Sequence, residues 1–391
     1  MTSNYVLVAP LVLLTAVGCR NENTDNQPDL MMTSDDMSVA EDLSGLPADL
    51  SAPDLTGADL LPPPPPADFF VLRVGDGTAA LTSAATAAFL ERRKLSDGSL
   101  VGTALALPTT VSGTNRILTM GGSSTGEGGL SRSVDGRYLL VAGYDAAVGT
   151  AAVAGTASTT TNRVIGRIDS TGTIDTSTAA DFLSGNSIRS ASSNDGKNLW
   201  AAGAGGIFHT TFGSTAKPTS LLSTNFRWLH VFGTQLYGSS GSGTNVGINS
   251  VGNGTPMTTS TATLLSGFAA QTGSSHYGFV GFDTDGLAGI DILYVADDRA
   301  AGSGGGIQRW KLNGATWTLQ GTMAKSLTAG VRGLTGYQQG NNFVLFATTA
   351  EVPARIVRFT DDGTAIDMLT PTALATASNN TAYRGIALAP Q

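Results

Sequence analysis

The sequence predicts an all-β fold, a β-propeller of six blades with seven as the alternative count, and three observations carry that prediction. Composition is the first. The chain has 391 residues, 50 of them Gly, with 13% charged residues and a single Cys. One Cys excludes a disulfide scaffold. A helical bundle would draw on Ala, Leu, Glu and Lys, whereas Gly, Ser, Thr, Ala and Val dominate here and favour strands and tight turns.

Self-similarity is the second observation. Asp135-Gly136-Arg137-Tyr138-Leu139-Leu140-Val141-Ala142-Gly143 reads onto Asp195-Gly196-Lys197-Asn198-Leu199-Trp200-Ala201-Ala202-Gly203, an Asp-Gly turn running into an apolar strand. Weaker copies begin at Gly233, Asp291 and Asn342. A turn of this kind needs positive φ, which Gly adopts without strain. A further strand-like element follows each hairpin, around Phe89, Val164, Ile207, Ile248, Ile307 and Ile356. Another precedes each hairpin: Leu130-Ser131-Arg132-Ser133, Ser187-Ile188-Arg189-Ser190, Asn225-Phe226-Arg227-Trp228, Ser275-His276-Tyr277-Gly278, Gly330-Val331-Arg332-Gly333 and Ala382-Tyr383-Arg384-Gly385. From Arg132 to Arg384 is 252 residues in five steps, a period near 50. Four short antiparallel strands per unit make a blade, and radial repetition protects the sheet edges. The stretch 100–128 is the place where a seventh blade would fit.

The chain ends are the third observation. The last unit stops after one strand, Tyr383 to Leu388, while Phe70 to Asp76 match Leu139 to Asp145. The N-terminal strand of the body is therefore expected to complete the last blade.

Domain organisation follows from charge and hydropathy. The formal charge of -8 is concentrated in residues 20–68, which hold 11 acidic residues and one base, Arg20. The remainder of the body is near neutral, so neither a nucleic-acid surface nor an acidic globular fold follows from the total. Residues 5–18 are apolar and uncharged, but 14 residues cover only about 21 Å of a membrane core of about 30 Å. That is the length of a signal peptide, assigned to residues 1–18. Residues 19–68 carry a recurring Asp-Leu pair and the prolines Pro62 to Pro66, the composition of a disordered acidic, Pro-rich tether. Residues 69–391 form the propeller domain.

Thr15-Ala16-Val17-Gly18-Cys19 resembles a bacterial lipobox. The resemblance implies lipidation at Cys19, a Gram-negative envelope lipoprotein and, with Arg20 following, sorting to the outer membrane. Two or more acyl chains would make the anchor stable. Residues 69–391 are similar to secreted bacterial β-propellers of uncharacterised function that share the Asp-Gly hairpin.

In a propeller the first strand of each blade faces the central channel, so equivalent residues form a ring. Arg132, Arg189, Arg227, Tyr277, Arg332 and Arg384 are the candidate ligand-binding residues. Guanidinium groups suit carboxylate, phosphate or sulfate. Two readings stay open: the mouth binds an anionic small molecule or glycan, or each Arg turns sideways onto carbonyls and rings of the next blade. Asp283-Thr284-Asp285-Gly286 with Asp291 resembles the start of a calcium loop but lacks a Glu at the twelfth place, and reads as a turn. Asp297-Asp298-Arg299 reads as a solvated loop with an internal ion pair. His209, His230 and His276 have no metal spacing. No catalytic residue, resident metal or cofactor is expected, nor a nucleic-acid partner, and the chain is expected to be a monomer. The leading function is a cell-surface binding or scaffolding propeller. The alternatives are a metal-dependent hydrolase of the six-bladed kind, which needs acidic channel residues, and a polysaccharide-degrading enzyme.

Overall fold

The computed structural model describes residues 67–391 apart from 271 and 272. The expected signal peptide, Cys19 and the tether up to residue 66 lie outside the described residues.

Six four-stranded antiparallel sheets form a six-bladed β-propeller. Blade 1 is Leu130–Arg132, Tyr138–Tyr144, Arg163–Asp169 and Ile174–Ala180. Blade 2 is Ile188–Ser193, Asn198–Gly203, Gly206–Thr211 and Thr219–Leu222. Blade 3 is Leu229–Phe232, Gln235–Ser240, Gly247–Val251 and Ala262–Leu264. Blade 4 is His276–Phe282, Ile292–Asp297, Gly306–Asn313 and Thr316–Met323. Blade 5 is Val331–Gln339, Asn342–Thr349, Arg355–Asp361 and Thr372–Thr376. Blade 6 uses both ends of the chain: Ala382–Leu388, then Asp68–Val74, Ala88–Lys94 and Leu105–Ala106.

The first strand of every blade touches that of the next, round to blade 6 and back to blade 1. Phe70 pairs with Ala387 and Val71 with Ile386, so the N-terminal strand closes the last blade. That strand opens at Asp68, one residue before the expected boundary, where Asp68 pairs with Lys94 and its buried carboxylate accepts from Arg92 Nε at 2.7 Å. Residues 100–128 hold Leu105–Ala106 and Met120–Gly121, the latter paired with Ala85–Thr86, and make no seventh blade.

The pleat explains why the second strands read as unbroken apolar runs. Successive side chains point to opposite faces, and here both faces meet another blade. Leu139 and Val141 pack into the core shared with blade 6, while Leu140 and Ala142 pack into the core shared with blade 2. Six such apolar clusters fill the six interfaces between blades. Each fully buried Leu or Val contributes roughly 1.5–3 kcal/mol. The Asp-Gly turns are set by Gly136 at φ +75° and Gly196 at φ +72°. Asp195 Oδ1 locks the second turn by accepting from the N–H groups of Lys197 (2.9 Å) and Asn198 (3.0 Å).

Candidate functional site

The first strands all start at one mouth of the channel, the upper one, and turn into their hairpins at the lower one. Hydrogen bonds stepping between blades define the upper ring. Gly385 N–H donates to Gly128 O (2.9 Å), Gly129 N–H donates to Arg189 O (2.8 Å), and Ser190 Oγ donates to Arg227 O (3.0 Å). Blades 2, 4, 5 and 6 carry an irregularity at the same place, at Arg189, Tyr277, Arg332 and Arg384. The ring is thus Gly128, Arg189, Arg227, Tyr277, Arg332 and Arg384.

Five of the six residues expected from the sequence come together there, and Arg132 does not. It sits at the lower end of blade 1, where Nε donates to Gly136 O (3.0 Å) and Nη2 to Gln391 Oε1 (3.1 Å). Matching blade 1 on its Arg misplaces the register. The true counterpart is Gly128, recognisable by the small residue after it: Gly129 corresponds to Ser190, Gly278, Gly333 and Gly385.

Each guanidinium has its own partners. Arg189 donates through Nη1 to Asn225 Oδ1 (2.5 Å) and Phe226 O (3.1 Å), and through Nε to Ser187 Oγ (3.2 Å). Arg227 donates through Nη1 to Ser275 Oγ and His276 O, both at 2.9 Å, and its Cζ lies 4.2 Å from the centre of the Tyr277 ring. Both therefore reach sideways into the next blade, as the second sequence reading has it. Arg332 pairs with Asp298 at 3.0 Å. Arg384 Nη2 donates to Gly122 O (2.7 Å), while its Nη1 is buried without a partner among the described residues.

The charges do not cancel. Among the described residues Arg189 and Arg227 have no carboxylate partner within ion-pair distance. Burial and then the charge of Arg227 lower the pKa of Arg189. Burial lowers Arg384 to about 10, opposed by Glu127 and assisted by Arg332. Glu127 is the buried acid of the site, with Oε2 accepting from Gly121 N–H (2.9 Å) and Oε1 from Tyr144 Oη–H (2.8 Å). Its burial outweighs those bonds and pushes its carboxyl pKa up.

Below the ring the channel is blocked. Trp228, 2% exposed, belongs to blade 3, yet its indole lies 3.0 Å from a Cβ added at Gly129 of blade 1 and 2.7 Å from one added at Gly278 of blade 4. One large ring thus crosses the axis through space left by the small residues of the other blades, and its Nε1–H has no partner among the described residues. The indole therefore lies across the axis beneath the upper ring.

The chain matches no family model and no curated relative. Among solved structures it is similar to a 6-phosphogluconolactonase candidate from Bacteroides fragilis, at 13% identity over 80% of this chain and 82% of that one, TM-score 0.43. A chain of the nidogen/laminin complex gives 15% identity, 82% and 98% coverage and TM-score 0.41. A counterpart of the first from Bacteroides uniformis gives 12%, 81%, 99% and 0.41. These likenesses carry no activity over to this chain.

Of two further expectations, the internal ion pair of 297–299 and the turn at 283–291 both form, and only the solvated placement of Asp297 is corrected. Asp297 is not solvated: it is fully buried, accepting from Arg299 Nε (2.9 Å) and Ser275 N–H (3.1 Å), with His276 Nε2 at 3.8 Å. The strand Ile292–Asp297 carries it inside, and Asp298 is the residue that reaches the ring. In the 283–291 loop, Asp283 Oδ1 accepts from Gly286 N–H (3.1 Å) and Asp291 Oδ1 from Thr284 N–H (2.8 Å), so those carboxylates brace a turn. Among the described residues no three His, Cys, Asp or Glu side chains form a metal-ligating group. Reasoning from the sequence missed Glu127 and Trp228. The signal for Trp228 was its place after Arg227, where the other blades carry Ser or Gly.

Proposed function

We propose that this propeller is a binding module whose upper mouth takes a ligand carrying two acidic groups. One observation carries the reading: Arg189 and Arg227, adjacent in the ring, hold two positive charges with no carboxylate of the described residues within ion-pair distance, and the charge of Arg227 lowers the pKa of Arg189. An anion there relieves their repulsion through charge-assisted hydrogen bonds, which are about twice as strong as neutral ones. The Tyr277 ring lies against Arg227 and Trp228 lies across the axis beneath, which suits a compact acid or the terminal unit of an acidic glycan. The lipobox resemblance at Cys19 supports display on the cell envelope.

Titration of the chain with sulfate, phosphate and an oligogalacturonate, followed by thermal unfolding, tests the site. A ligand at 100 times its Kd stabilises by about 2.7 kcal/mol. The double variant Arg189→Gln, Arg227→Gln should lose that increment while still unfolding cooperatively. Equal stabilisation of wild type and variant by all three anions would refute the assignment. For the address, Cys19→Ser should move the protein from the membrane fraction to the soluble one.

A further inference from the structure

The lower mouth is a separate chamber. A cavity of about 710 Å³ is lined from five blades, by Val134, Phe232, Phe279, Leu334, Ile386 and Leu388 among others. Exposed apolar residues stand at its edge: Val134 is 44% exposed, and Leu287, next to the lining residue Ala288, is 70% exposed. Trp228 blocks the channel above, so nothing bound here shares space with the upper ring.

The polar groups of the chamber decide what it can take. Arg132 is occupied by Gly136 O and Gln391 Oε1, and Asp283 by Gly286 N–H. The two are of opposite sign and both line the cavity, so its charged groups favour neither an acid nor an amine by net charge. His230 is different. Its ring stacks on Phe232 with centroids 5.8 Å apart and meets Phe279 edge-on at 4.9 Å, yet its imidazole has no hydrogen bond among the described residues. Burial holds it down to about 4, so at neutral pH it is an uncharged donor and acceptor set in an aromatic wall completed by Tyr237.

We propose that the lower mouth is a second binding site, for an uncharged aromatic molecule bearing a hydroxyl group. The rings of Phe232 and Phe279 bury its body, and the free imidazole nitrogen of His230 exchanges a hydrogen bond with its hydroxyl. Pockets of this size and apolar character, with few polar groups, are the usual form of small-molecule sites. The site stands on its own observations and does not depend on the upper mouth.

The test uses the whole chain at pH 7 with 2-naphthol, naphthalene and 2-naphthoate, read by calorimetry and thermal shift. 2-Naphthol should bind one to one. His230→Phe keeps the stacking ring and should weaken 2-naphthol about five- to tenfold, the worth of one hydrogen bond, while leaving naphthalene within twofold. Thr335→Trp, or Val280→Trp should the first fail to fold, should fill the chamber and abolish both. Arg189→Gln should change neither. No heat and no shift with 2-naphthol up to its solubility would overturn the proposal. So would undiminished binding in a folded Trp variant, or tighter binding of 2-naphthoate than of 2-naphthol.

Discussion

A methyl group added at Gly385 would press on the carbonyl of Gly128 and on the amide and side chain of Leu130 in the next blade, leaving backbone no room to yield. Gly385→Ala should therefore cost about 1–3 kcal/mol, the usual penalty of overpacking, visible as a lower urea midpoint with an unchanged slope. His276 gives a residue-scale prediction in pH. It is fully buried beside Asp297, with Nε2 3.1 Å from Gln308 Oε1, and burial depresses it to about 4 against an ordinary value near 6.5. A base held neutral by the fold is protonated first in the unfolded chain. Its contribution to stability is thus whole above pH 6.5 and is lost as the pH falls toward 4. The raised carboxyl of Glu127 acts in the opposite sense over this range and is common to both proteins. Unfolding free energies at pH 7.5 and 4.5 should fall less in His276→Gln than in wild type. An identical fall would mean that His276 does not resist protonation.

The hairpins are where sequence and structure agree most closely. Asp195-Gly196 declares itself because few residues besides Gly accept that φ and because an Asp carboxylate can cap the two following amides. Asp195→Ala removes both bonds and should cost on the order of 1–2 kcal/mol in chemical unfolding, at about 1 kcal/mol each. Apolar second strands such as Leu139 to Gly143 were legible for a similar reason: burial on both faces leaves no alternation. Blade 1's ring position was not, because Arg132 offers the expected residue type four places too late. Registers slip easily when matched on one side chain, whereas the small residue after the ring position reports a backbone contact between blades. Glu127 and the Trp228 floor depend on contacts between distant segments. Short-range pattern does not carry those.

Closure is a property of the whole ring. Ala382–Leu388 pairs with Asp68–Val74 and also touches the first strands of blades 5 and 1, so one strand at the C-terminus completes three contacts. Deleting residues 382–391 should abolish the cooperative unfolding transition, far more than ten residues' worth of burial. Ala389 N–H donates to Asp68 O at 3.0 Å, placing the two ends of the body side by side. A circular permutant that joins Gln391 to Asp68 through a short linker and opens the exposed turn at Gly314 should keep that transition. Circular dichroism melts of the two proteins separate closure from mere length.

The central claim concerns charge gathered by that ring, and a heavy anion locates it directly. Diffraction data collected at the selenium edge from crystals grown with selenate should show an anomalous peak within hydrogen-bond reach of the Arg189 and Arg227 guanidiniums. Selenate ordered elsewhere on the molecule, with water alone at the upper mouth, would contradict the account.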